Sequence, residues 1–234
     1  MNKRLLIAAG SLLALVSTAT AQVLQTATTS NNIEPGGPGD RTEYYGSGAD
    51  DGFEEYGIAT FTTFTGAQFG GSLTDITSAT YSLTVNDRSF SDGTQFRLVL
   101  STDQFGGNYS ALSFDSAFNA ENGLNPAHYT NPVHDLGVYD LGADMGTFPG
   151  GTVLDFSLNL DASAESALIA AINAGNEFSL SIHAVNVSDD ITFSGVGNTF
   201  DPGDPALTIV PEPSTYAMLL GLAGLALVMI RRRR

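Results

Sequence analysis

Ala79-Thr80-Tyr81-Ser82-Leu83-Thr84-Val85 alternates apolar and hydroxyl side chains without a break. Successive residues of a strand point to opposite faces, so Ala79, Tyr81, Leu83 and Val85 share one apolar face and Thr80, Ser82 and Thr84 the other. At helical spacing the same residues would be scattered around the axis. Phe96, Leu98 and Leu100 repeat the alternation, and the stretch from Asn86 to Gly93 between them is polar. The two segments are therefore expected to form an antiparallel pair joined by that turn.

The pattern extends in both directions. Upstream, Ile58, Thr60, Thr62 and Phe64 alternate with Ala59, Phe61 and Thr63 in a segment dense in β-branched and aromatic residues. Downstream, strands are expected at Asp135 to Leu141, Val153 to Leu160, Glu177 to Val185, Ile191 to Phe193 and Ala206 to Val210. One segment follows a different period. Ala164, Leu168, Ala171 and Ile172 lie at helical spacing, with Asp161 or Ser163 placed to cap the start and Gly175 to end the turn. A helix over 162–174 would cross from one sheet to the other. Residues 22–56 are rich in Thr, Ser, Asn, Gly and Pro and show no sustained period, so they read as an arm or long loop, with a short edge strand within Thr42 to Tyr45. The fold class expected is all-β: a two-sheet, jelly-roll-like sandwich over 57–210 with one short helix.

Charge sets further bounds. Residues 22–210 hold three cations, Arg41, Arg88 and Arg97, against 24 acids, a formal charge of −21. Such a field repels phosphate backbones and excludes nucleic-acid binding, while favouring solubility and divalent cations. The chain has no cysteine, so no disulfide, thiol chemistry or Cys-zinc site can form. It also has no Trp, leaving Tyr and Phe as the only rings that could stack on a sugar.

The two ends carry targeting signals. Lys3 and Arg4, the apolar run from Leu5 to Val16 and the small residues Ala19 and Ala21 make residues 1–21 a secretory signal peptide, with signal peptidase expected to cut after Ala21. At the other end, Pro211-Glu212-Pro213 precedes an apolar segment, 214–230, and then Arg231, Arg232, Arg233 and Arg234. From Pro213 to Ile230 an ideal helix would be roughly 27 Å long, enough to cross a thin bilayer. The positive-inside rule keeps the four arginines in the cytoplasm and places everything before Pro211 outside.

Val210-Pro211-Glu212-Pro213-Ser214-Thr215, the apolar span and the terminal arginines together resemble the PEP-CTERM sorting signal of Gram-negative bacteria. The resemblance implies that a membrane protease, an exosortase, takes this chain as substrate and cuts near the Pro-Glu-Pro motif with a Cys nucleophile of its own. Pro211 and Pro213 suit that role, since each lacks an N–H and biases its predecessor towards extended backbone. The central region also resembles DNRLRE-type surface domains related to carbohydrate-binding modules. Ile76-Thr77-Ser78-Ala79-Thr80-Tyr81, Leu154-Asp155-Phe156 and Pro205-Ala206-Leu207-Thr208-Ile209 carry that likeness, whereas Thr63-Phe64-Thr65 stands where the pattern has Arg-Phe-Asp. It implies a fold and no binding residues.

Candidate chemistry is sparse. His128, His134 and His183 form no HExxH, and no Gly-x-Ser-x-Gly is present. Acidic clusters offer more. Asp50, Asp51 and Glu54 (with Glu55), Asp189 with Asp190, and Asp201 with Asp204 supply hard oxygen ligands on irregular backbone, as Ca²⁺ requires; the same residues also serve ordinary Asx turns. Tyr44, Tyr45, Phe53, Tyr56, Phe105, Tyr109 and Tyr129 fall in or near loops, where rings either stack on sugars or pack against the sandwich ends. These features point to an exported, non-catalytic surface or extracellular-matrix protein. It would be anchored at the inner membrane until its tail is processed, and associated with exopolysaccharide. A carbohydrate-binding module with structural calcium and a secreted acidic hydrolase are the alternatives.

Overall fold

A computed structural model describes residues 22–39, 44–48, 54–86, 91–118, 123–186 and 189–212. The expected signal peptide with Ala19 and Ala21, the apolar span and Arg231 to Arg234 lie outside the described residues. Among the described residues no helix is long and apolar enough to cross a membrane.

Two antiparallel sheets carry the fold. The first is four-stranded and runs β1 (Val23–Thr26), β12 (Ala206–Pro211), β6 (Ile76–Thr84), β9 (Val153–Ser157). The second is six-stranded: β3 (Gly37–Pro38), β2 (Thr29–Glu34), β5 (Tyr56–Phe61), β10 (Phe178–Ala184), β7 (Gln95–Ser101), β8 (His134–Asp140). A two-stranded piece pairs β4 (Tyr44–Ser47) with β11 (Ile191–Ser194). The alternation read from the sequence decides which side chains enter the core between the large sheets. Tyr81 and Leu83 of β6 and Leu207 and Ile209 of β12 meet Phe61 of β5, Phe96 and Leu98 of β7, and Phe178, Leu180 and Ile182 of β10. The Phe61 and Phe178 rings stack at 5.4 Å, and Phe156 of β9 meets Phe96 edge-on at 4.9 Å. Each such buried side chain stabilises the fold by about 1.5–3 kcal/mol.

The helix α1 (Ala162–Ala174) spans the expected residues and joins β9 of one sheet to β10 of the other. Asp161 caps it by accepting from the Ala164 N–H at 2.7 Å, and Gly175 ends it in the left-handed region at φ 66°. Its buried face, Ala164, Leu168, Ala171 and Ile172, closes the core.

Two expectations are corrected. The segments at β6 and β7 do not form a hairpin: β6 lies between β12 and β9, and β7 between β10 and β8. Alternation reports which face of a strand is buried, and both strands bury theirs in the same core from opposite sheets. Likewise, residues 22–56 are no arm, because they supply β1 to β4. Their polarity concealed β2, whose Ser30, Asn31 and Asn32 are buried and whose Asn32 Oδ1 accepts from the Gly46 N–H at 2.9 Å.

Candidate functional site

The sorting signal starts on the sheet itself. In β12, Leu207 and Ile209 point into the core, and the alternation carries the strand through Val210 and Pro211. On one side β12 pairs with β1, but that pairing ends where Val23 faces Ile209. On the other side it pairs with β6 for two residues more, Val210 facing Ser78 and Pro211 facing Ile76 across an irregularity in register. Glu212 extends the attachment by donating its N–H to the Asp75 carbonyl at 3.2 Å. The Ile76 N–H is in turn taken by Glu165 Oε1 of α1 at 2.8 Å. Asp75 and Glu165 escaped the sequence reading because each meets its partner across about 90 or more residues, a pairing that no local pattern encodes. Pro213 lies outside the described residues.

The acidic candidates are scattered and individually used. Asp50 and Asp51 lie outside the described residues, and Glu54 is half-buried. Asp189 Oδ2 accepts from Asn186 Nδ2 at 2.7 Å, and Asp204 Oδ1 accepts from the Gly197 N–H at 3.1 Å. Asp190 is half-buried, with its carbonyl taken by the Gly93 N–H. The Asp201 carboxylate lies over Gly150, close enough that a Cβ there would stand 2.8 Å from Oδ1. Among the described residues no three His, Asp or Glu side chains converge as a metal site would require. Elsewhere too, carboxylates serve turns: the Gly142 N–H holds the Asp140 carboxyl below its usual range, and the Asn125 amide does the same for Asp115.

Burial decides between the two readings of the aromatic candidates in favour of packing. Residues 102–118 and 123–133 fold back over the outer face of the six-stranded sheet, and their Tyr109, Leu112, Phe114 and Tyr129 form a second apolar cluster with Ile33, Tyr56 and Ile58. Tyr56, Tyr109 and Tyr129 are therefore enclosed, Tyr45 is buried in the main core, and none offers a ring to a sugar in solution. Phe105 is half-buried against Tyr109 and Tyr129. Phe53 and the Tyr44 side chain lie outside the described residues. The excursion is held at its base by Asp103, whose carboxylate accepts the Thr130 and Asn131 N–H groups at 2.6 and 2.7 Å.

Beneath it, Tyr109 Oη meets Thr29 and Thr60 Oγ1 at 2.7 and 2.9 Å, and Tyr56 Oη lies 3.4 Å from Tyr129 Oη. His183 stacks on Tyr56 at 4.4 Å, with Nε2 2.8 Å from Ser181 Oγ. A serine and a histidine at that distance form the first half of a nucleophilic pair. Both are buried, however, and the Tyr56 ring covers the imidazole, so the pair is part of a hydrogen-bonded core. Burial pushes the Tyr56 phenol well up, the Tyr109 phenol up, and the Tyr129 phenol up to about 12.

These observations leave the end of β12 as the site with a legible purpose. Residues 210–234 match the PEP-CTERM protein-sorting motif. The PEP-CTERM signal makes this an exported, exosortase-sorted protein, held in the membrane before processing and presented at the cell surface afterwards. Its motif is continuous with β12, so no linker separates the sandwich from its sorting tail. No curated protein matches the chain. Among solved structures, the K1 cleaved adhesin domain of Lys-gingipain from Porphyromonas gingivalis W83 is similar at 11% identity and a TM-score of 0.32, over 80% of this chain and 96% of that one.

Proposed function

We propose that the chain is a non-catalytic surface or extracellular-matrix protein of a Gram-negative bacterium. In this reading signal peptidase removes residues 1–21, the sandwich crosses to the outer side, and the tail holds it at the inner membrane until exosortase releases it. The released domain joins the exopolysaccharide layer. The observation that carries the reading is the PEP-CTERM match on the last residues of β12. Two others favour a role without catalysis: His183 and Ser181 are buried with the Tyr56 ring over the imidazole, and among the described residues no three His, Asp or Glu side chains converge. A charge of −21 over 22–210 keeps the released domain soluble and apart from other polyanions unless cations bridge them.

Intact-mass analysis of the protein isolated from its host tests the reading. The mature species should begin at Gln22 and lack Arg234. A surface fraction that still ends at Arg234 would overturn release. Co-sedimentation of the released domain with the host's extracellular polysaccharide tests the matrix role, and full recovery in the supernatant would remove it.

A further inference from the structure

The sorting motif and the fold share residues. Val210 and Pro211 are the last residues of β12, both paired with β6, and the Glu212 N–H is bound to the Asp75 carbonyl. A protease groove takes its substrate as an extended chain whose backbone N–H and C=O groups are free to pair with the enzyme. Here those groups are already committed to the neighbouring strand. The irregular register at Val210 and Pro211 and the end of β1 pairing at Ile209 make this the weakest stretch of the strand. Among the described residues only one side of it is held, and strand ends of this kind open locally at far less cost than the whole domain.

The spacing removes another freedom. Ala217, where the run without polar side chains begins, is five residues beyond Glu212, a reach of at most about 18 Å. The sheet end that carries Val23, Ile76 and Pro211 therefore stays within about 18 Å of the membrane surface whenever the tail is inserted.

We infer that the folded domain withholds its own sorting motif. The pairing of β12 with β6 through Pro211, and the Glu212–Asp75 bond, must open before exosortase can take the motif, so the stability of this sheet end sets the rate of tail release. The inference rests on the sorting function proposed above and adds its regulation. Release breaks one peptide C–N bond: the acyl carbon passes to water or to an acceptor amine, and the departing tail keeps the nitrogen with an added proton.

The test follows loss of the tail by pulse-chase and intact mass, using the full chain in a host that carries the enzyme. A short Gly-Ser spacer between Ile209 and Val210 keeps Val-Pro-Glu-Pro intact but moves it off the sheet. Release should then accelerate on the order of tenfold, the opening cost of one or two ladder hydrogen bonds. Conversely, the pair Ser78→Cys and Val210→Cys, directly opposed in register, places two thiols at the separation a disulfide needs. Oxidised, this variant should retain its tail relative to its own reduced form, which carries the same Val210→Cys change and so serves as its baseline. The pair Thr80→Cys and Thr208→Cys staples the same strands deeper in the sheet and should release as the parent does.

Rates unchanged by both the spacer and the outer staple would overturn the inference, as would equal slowing by the two staples. Simultaneous replacement of Pro211, Glu212 and Pro213 by Ala separates the two ideas. Release that persists in that variant sinks the sorting reading itself. Release that needs the motif but ignores spacer and staple sinks only its control by the sheet.

Discussion

Val23 lies directly across from Ile209, so the first and last strands of the described domain are neighbours in one sheet and both lead to the same edge of the molecule. Ile209 is fully buried between the sheets, whereas Leu24, one residue along β1, is 59% exposed. Ile209→Ala should therefore cost about 2–5 kcal/mol through lost burial and a residual cavity. Leu24→Ala should stay within about 0.5 kcal/mol. Thermal melts of the exported domain, shifting by about 2–4 °C per kcal/mol, distinguish the two. Equal melting of both variants would mean that the β1–β12 edge contributes nothing to stability.

Gly57 is a steric requirement. A Cβ at this position would stand 2.8 Å from both Tyr45 Cδ2 and the Gly46 carbonyl oxygen. β4 has no room to retreat, because the Gly46 N–H is bound to Asn32 and Tyr45 Oη donates to the Leu180 carbonyl. Gly57→Ala should destabilise the domain by about 1–3 kcal/mol, as overpacking does. An unchanged melt would show that β4 and β11 float over the sandwich.

Asp103 is the anchor of the 102–133 excursion. It is buried, and its two carboxylate oxygens satisfy two backbone donors. Asp103→Ala strands both donors, each at about 1–3 kcal/mol, while Asp103→Asn keeps one acceptor and should lose less. Limited proteolysis locates the effect: cleavage should begin within 102–133 in the Ala variant, well below its melting temperature. Cuts spread evenly over the domain would argue against a local anchor.

The elements whose signal is local were legible in the sequence. Helix α1 announced both its ends through Asp161 and Gly175, and the apolar faces of β6, β7 and β10 could be read from period two alone. Strand neighbours could not, because the same alternation serves a hairpin and a crossing between sheets. β2 was hidden because its buried positions carry Ser and Asn; Ser30 Oγ accepts from the Val196 N–H and Asn32 Oδ1 from the Gly46 N–H, pairings that no local pattern encodes. The aromatic residues left stacking and packing both open for a related reason: residues 102–118 and 123–133 have no period of their own, and only the fold lays them over Tyr56 and Ile58. Residues 210–234 were legible because sorting enzymes read sequence, whereas the attachment of Glu212 to Asp75 belongs to the fold.

The buried phenols make alkaline stability a direct test of that covering layer. Burial beneath that layer raises the Tyr56 and Tyr109 phenols and pushes Tyr129 up to about 12, and burial between the sheets raises Tyr45 and Tyr81 as well, against about 10 in an unfolded chain. The fold thus favours the neutral, protonated form, and the unfolded chain loses its protons first. Stability is fully present below about pH 10 and falls as pH rises towards about 12, because the native state there binds more protons than the unfolded one. Denaturant midpoints measured across this window should decline steeply. Tyr129→Phe should reduce the slope by about one proton. Tyrosinate absorbance should rise together with loss of the near-UV circular dichroism signal. If it instead grew gradually from pH 10 with that signal intact, solvent would be reaching the phenols in the native state, and the layer formed by residues 102–133 would not seal the sheet.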